Sequence, residues 1–513
     1  MMTEIPWSEQ SSGPLLAWLQ LLPLGAAVLV HRIREDRTVF WVAMVLALLE
    51  LLGAGYLYHL FDPSRADFQL AEQLAILGPF SYHAAADGMT VAFVLLTAFL
   101  SLMAVPYGWV RPFRPQFRFL TILFVGEAAL MSQFVTLDLL WFMLCSAVQM
   151  GLAGYLMHLW SASPDEGSSL TRFAEFMGVG LLLLSLGTLL LGWAHFDATG
   201  VWSFDLLRLA ANPLPKVFQA SAFFLIFYGL GIRIPLFPLH GWLPMVAERG
   251  TVVLALVFLL GVKTGFYGML RFLFPLLPAP IYEWRLVVVI IATIGIFYAA
   301  WLAMMQINLR RMMAYAVISH TDILLIGLFS LQAHAFQGSI LLMCNFGLAA
   351  ATLFFMIGLI NRRTQTVLLS RLGGLFNRLP LIGIAFFVAG LAIVGMPGTP
   401  GFDAAHLLME AAMHRFGALI TIAAALGNVA SAAFLLWSFQ RIFLAQPESR
   451  PLSTQTVTRT ERWLEGVLVV ALIGVQLTAG FYSAPWLTLV EQTAQTMAVP
   501  YAPYLDSLRK GHE

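Results

Sequence analysis

Apolar runs of about 20 residues, broken by short polar clusters, recur along the whole chain, and an α-helix of that length spans the hydrocarbon of a bilayer. Fourteen segments qualify: about 14–32, 38–61, 89–107, 118–136, 138–160, 173–194, 216–239, 252–273, 286–305, 315–333, 337–360, 382–405, 417–440 and 464–483. The runs are continuous, whereas the strands of a membrane barrel alternate polar and apolar positions. The pattern therefore predicts an all-α polytopic membrane protein with about 14 transmembrane helices. Connections are short. The longest, 62–88, carries turn signals at Asp62-Pro63-Ser64-Arg65 and Asp87-Gly88 and is expected to be ordered at one membrane face.

Composition agrees: 60% of the 513 residues are hydrophobic and 11% charged, against about 25% charged in a soluble domain. The net charge of +1 points to no particular partner, and no nucleic acid is expected. Cys145 and Cys344 both lie in apolar runs and form no CxxC, which argues against an iron–sulfur site or a disulfide framework. Residues 1–13 contain an acid and no basic residue, so no cleavable signal is expected. There is no GxGxxG, P-loop or metal-ligand spacing, and no cofactor is expected in this chain.

Charge adds orientation. Connections after odd-numbered segments carry eighteen basic residues and those after even-numbered segments six. This asymmetry places the odd connections in the cytoplasm and both termini outside. The C-terminal tail holds Arg509 and Lys510, which leaves Arg233 and Lys263, in segments seven and eight, as the cations deep in the membrane.

Arg233 sits in Gly231-Ile-Arg-Ile-Pro-Leu-Phe-Pro-Leu-His-Gly-Trp-Leu-Pro244, where Pro235 and Pro238 predict a broken helix. Segment twelve, Leu391-Ala-Ile-Val-Gly-Met-Pro-Gly-Thr-Pro-Gly-Phe402, repeats the spacing at Pro397 and Pro400. The breaks are five segments apart. They predict two five-helix repeats, segments 4–8 (residues 118–274) and 9–13 (residues 284–441). Five crossings per unit invert the second copy, and paired breaks in inverted halves point to an ion pathway at the midplane. Residues 1–117 hold helices 1–3, and 442–513 an amphipathic stretch, helix 14 and a tail.

The ionisable residues inside the segments are Glu50, Glu127, Arg233, Lys263, His320, Asp322, His406 and Glu410, with Asp403 beside the second break. Buried lysine changes its proton affinity with a moving neighbour, and histidine titrates near neutrality, so water-bridged rows of them pass protons. Arginine stays charged and acts as a fixed field. The plainer reading of Glu50 and Glu127 is a neutral acid, or one paired with an interhelical donor. Asp322, two residues from His320, points away from it on a regular helix. Asp138, Glu175, His158, His240 and His334 are expected at the interfaces.

On these residues the chain resembles the antiporter-like subunits of respiratory complex I, and among them chain M of the bacterial NADH-quinone oxidoreductase. The resemblance rests on Ile232 to Pro244, Tyr82-His-Ala-Ala-Ala-Asp-Gly-Met89, Gly261-Val-Lys-Thr-Gly-Phe-Tyr-Gly-Met-Leu-Arg271, Gln306 to His320, Gly395 to Phe402, and Leu436-Trp437 with Gln440-Arg441. It implies a proton-conducting subunit in a bacterial inner membrane. Redox centres and other membrane subunits would be supplied by partners, with the lipid bilayer around it and protons or other cations as cargo. Lys263 and His320 match the family's central lysine and histidine. The chain departs from the pattern elsewhere: Arg233 replaces a lysine, Ala147 the segment-five glutamate, Phe346 a second histidine and Ala405 an acid. Glu127 is a candidate substitute for the lost acid and Asp403 or His406 for the exit side; Glu410, four residues from His406, is a further path candidate that could share its face. The alternatives are a degenerate, non-pumping scaffold, or a subunit of a hydrogenase, a cation/proton antiporter or an inorganic-carbon uptake complex.

Overall fold

The computed structural model describes residues 3–77, 80–160, 166–249, 263–446 and 458–509. In chain order these hold β1 (Glu4–Pro6), α1 (Leu15–Arg32), α2 (Asp36–Leu60), β2 (Phe68–Leu77), β3 (Phe80–Ala86), α3 (Gly88–Val110), α4 (Gln116–Val135), α5 (Leu139–Leu159), α6 (Glu166–Thr199), α7 (Lys216–Arg233) and α8 (Leu243–Arg249). Helical residues 263–276 (α9) follow. Then come α10 (Pro278–Met304), α11 (Leu309–Leu328), α12 (Ala333–Thr364), α13 (Pro380–Val394), α14 (Gly401–Phe416), α15 (Ala418–Phe439), α16 (Arg459–Phe481) and α17 (Ala484–Ala498).

Eleven described helices are long and apolar enough to cross a membrane. The expected segments missing from that set are seven, eight and twelve. Seven and twelve are interrupted, and residues 252–262 of segment eight lie outside the described residues. Segment twelve was expected to end at 405, but α14 carries it to Phe416, so its break is central. The all-α expectation holds for the membrane part. It missed a three-stranded sheet, β1–β2–β3, formed largely by the 62–88 connection.

Burial separates an inner layer from an outer one. The most apolar windows of α11 and α12 are 94% and 89% buried, those of α2, α5 and α16 33%, so the former form the core and the latter face lipid or partners. Exposed Leu, Ile and Trp on α2, α10 and α16 suit that outer role, since hydrocarbon imposes no penalty on them.

The sheet anchors the ends of the bundle through the Tyr82–Met89 motif. Tyr82 takes a hydrogen bond from Gln20 of α1 at 2.7 Å. Glu72 accepts the amides of Leu16 and Ala17 at 2.7 and 2.9 Å, doing the capping that Pro14 cannot. His83 bridges Asp205 and, at 2.8 Å, Glu4. Burial alone would push the His83 imidazole down, but these two carboxylates outweigh it and hold it above its ordinary value. Asp87 caps α3 through Thr90 and receives Arg271 of α9 at 2.7 and 2.8 Å. The motif is thus a set of fasteners: each polar side chain ties the hairpin to a different helix.

Candidate functional site

Both proline-rich stretches break their helices, and side chains repair the damage. Proline gives no amide hydrogen, so upstream carbonyls lose their helical partners and must find others inside the protein. After α7 the Trp242 indole donates to the Ile232 carbonyl at 2.9 Å. After α13 the Asn345 amide donates to Ala392 at 2.8 Å, and Asn428 to Val394 at 2.7 Å. Gly395 there adopts φ +74°, the left-handed turn that ends a helix most cheaply without a Cβ. Pro235, Pro238, Pro397 and Pro400 all lie at the breaks, as expected.

Arg233 is the last residue of α7 and is 5% exposed. It donates to Gln149 of α5. The family's acid was sought at Ala147; the structure gives the cation a neutral amide two residues on. Gln149 escaped the sequence reading because it does not titrate, although a lone amide in an apolar helix was the available signal. Glu127 makes no hydrogen bond to Arg233 and lies near Glu50 of α2.

Lys263 is fully buried at the start of the described part of α9. Its Nζ has no hydrogen-bond partner among the described residues and lies 4.1 Å from the centre of the Phe346 ring. His320 of α11 stacks on Phe346 from elsewhere, ring centres 5.4 Å apart and planes 23° apart. Phe346, in the family's histidine position, is therefore a contact shared by the two residues expected to relay protons. A phenyl ring attracts a cation but carries no proton. His320 uses Nδ1 on the Ala316 carbonyl at 3.0 Å. Its Nε2 faces Ile393 and Asn428 at the second break without completing a hydrogen bond of normal geometry.

Asp322 points the other way, as the helical spacing required. Its carboxyl lies against Gly295 of α10 and Phe237 in the first break. Thus α11 presents His320 to the second break and Asp322 to the first. His240, expected at an interface, is 7% exposed and packs on Phe237, ring centres 5.6 Å apart.

The path candidates around the second break divide. Asp403 is half-buried and lines a cavity of about 240 Å³ with Cys344, Asn345, Leu96, Phe99 and Trp486. Cys344 lies near Lys263, so this cavity approaches the central lysine from the α12 side. His406 and Glu410 are exposed on α14, and Glu410 faces His414 at 4.0 Å. The structure does not bring them to Lys263 or His320. No group of three or more His, Cys, Asp or Glu suited to a metal occurs among the described residues.

A polytopic helical bundle with two interrupted helices, a buried lysine and a buried histidine between them defines an antiporter-like membrane subunit. The family described as "NADH:quinone oxidoreductase/Mrp antiporter, TM" matches residues 138–431, and the chain belongs to it. It is 27% identical to NADH-quinone oxidoreductase subunit M of Rhodobacter capsulatus over 96% of this chain and 98% of that one. It is 30% identical to an NAD(P)H-quinone oxidoreductase chain 4 of Thermosynechococcus vestitus over 84% and 82%. Among solved structures it resembles a chain of respiratory complex I from Thermus thermophilus with bound NADH, with TM-score 0.81 and 25% identity over 94% and 99% of the two chains. A chain of the Mrp complex from Dietzia shares the fold, with TM-score 0.82 and 20% identity over 96% and 98%.

Proposed function

We infer that this chain is the ion-conducting membrane subunit of a complex I-like assembly in a bacterial inner membrane. Other membrane subunits would flank it, and the redox chemistry would belong to partners. The observation that carries the reading is Lys263: a lysine with no exposed surface and no carboxylate partner among the described residues, held between two repaired helix breaks. Burying a cation there costs the fold free energy, and a purely structural helix would use leucine. In this reading Lys263 and His320 exchange protons through water entering beside Phe346, Arg233 sets the local field, and Asp403 takes the proton toward the α12 cavity.

A second reading has its own support. Phe346 contacts both titratable groups and carries no proton, and Arg233 donates to the Gln149 amide oxygen. Both suit a scaffold that keeps the family's fold without its transport. Reconstitution of the whole complex in vesicles separates them. Conduction requires proton flux that falls at least tenfold in Lys263→Ala and His320→Ala while assembly is retained. Unchanged flux in both variants would favour the scaffold. Genes beside this one would name the assembly: quinone or NADH modules for a respiratory complex, a hydrogenase, an antiporter or a carbon-uptake partner for the others.

A further inference from the structure

We propose that Glu50, Glu127 and Ser101 form a second proton-binding site in the N-terminal part of the chain, a pair of buried acids of which at least one is protonated. Glu50 lies on α2, Glu127 on α4 and Ser101 on α3, three helices that pack together. Counted at the helical rise, the three lie between about 12 and 20 Å from the helix ends that meet the β-hairpin, well inside the hydrocarbon. Glu50 is 1% exposed and Glu127 2%. Their carboxyls lie close enough to repel one another. Ser101 comes near Glu127 without a hydrogen bond of normal geometry, and none of the four carboxyl oxygens has a partner among the described residues.

Among the described residues no cation is bonded to this pair. Arg233 turns to Gln149, and Lys263 lies against Phe346. Other polar groups on the surrounding helices are committed elsewhere. Gln20 of α1 bonds Tyr82 and Ser132, Cys145 of α5 faces Ser132 and Arg233, and Tyr107 of α3 faces Arg111. Two carboxylates at this depth would lack both hydration and counter-charge, which is untenable. One proton on either acid leaves a single negative charge at the site. A second proton would neutralise it. Ser101 supplies a hydroxyl able to donate to whichever oxygen is charged. The site is separate from Lys263 and His320, and its existence does not depend on the chain conducting protons. A part in transport does rest on the proposed function.

The test is infrared difference spectroscopy of the assembled complex in nanodiscs during pH steps, in H2O and D2O. The proposal expects a carboxylic C=O band that shifts in D2O and is lost in the Glu50→Gln/Glu127→Gln double variant. In each single variant the remaining acid should titrate at a pH displaced by about one unit or more, because interacting acids share their titration steps. Ser101→Ala should displace the same step while keeping the band. A band that survives the double variant, or single variants whose remaining acid titrates as in the wild type, would overturn the dyad. Proton flux measured on the same variants tests the transport role alone.

Discussion

Removing the Asp87 carboxylate should cost the fold more than any surface ion pair. Arg271 is 2% exposed, and its guanidinium is held by both oxygens of Asp87 and by the Thr90 hydroxyl at 2.8 Å. Asp87→Ala leaves a buried cation without its counter-charge, a change worth about 3–5 kcal/mol. The same carboxylate caps α3 through the Thr90 amide, and losing a cap costs about 1 kcal/mol. The two losses share one group and will not add fully, so about 4 kcal/mol is expected. Heating the detergent-solubilised protein with a thiol-reactive fluorophore reports unfolding through Cys145 and Cys344, both of which are at least partly covered by the bundle. Asp87→Ala should melt well below the wild type. The double variant Asp87→Ala/Arg271→Leu should recover part of the loss, since it removes the stranded charge. Wild-type melting of Asp87→Ala, or a double variant worse than the two single losses combined, would refute the reasoning.

Other residues give sharper local outcomes. Phe346→His should raise proton flux by joining Lys263 and His320 through a titratable group, while Phe346→Leu, which loses the ring under the cation, should lower thermal stability by about 1–2 kcal/mol. Gly295→Ala should destabilise by about 1–3 kcal/mol, because a Cβ there would press on Asp322 and come within 2.6 Å of Phe237. The hairpin should loosen with rising pH. His83 is held above its ordinary 6.5, so its contribution is complete below that pH and fades as the pH climbs through the raised value. Asp138, pushed up from 3.8 to about 6 by burial and by nearby Asp205, binds its proton more tightly when folded and subtracts stability as the pH rises between those values. Protection of the β2–β3 amides, taken relative to their intrinsic base-catalysed exchange, should therefore fall from pH 5 to 8 in the wild type and lose the upper part of that fall in His83→Ala.

The membrane segments were legible because hydrocarbon demands long apolar runs, and both breaks were legible because proline cannot donate. Polar residues in the hairpin motif were visible, but their partners were not. Asp205 lies 122 residues from His83 and Arg271 lies 184 from Asp87, distances no local pattern spans. At the centre, residue types pointed to Lys263 and His320 as candidates. The sequence could not reveal that Phe346 touches both, or that Glu127 lies near Glu50. Those facts depend on how helices rotate about their axes, which packing decides. The sheet was overlooked for a related reason. Phe68 to Ala86 alternates weakly, and its register comes from β1 and from Glu72 capping α1.

Lys263→Arg tests the central claim most directly. Arginine keeps the charge and nearly the size of lysine but does not release its proton near neutral pH. If Lys263 relays protons, the variant complex in vesicles should assemble, carry out its redox reaction and show flux at least tenfold below the wild type. Wild-type flux in Lys263→Arg would contradict the account and leave Lys263 as a fixed charge.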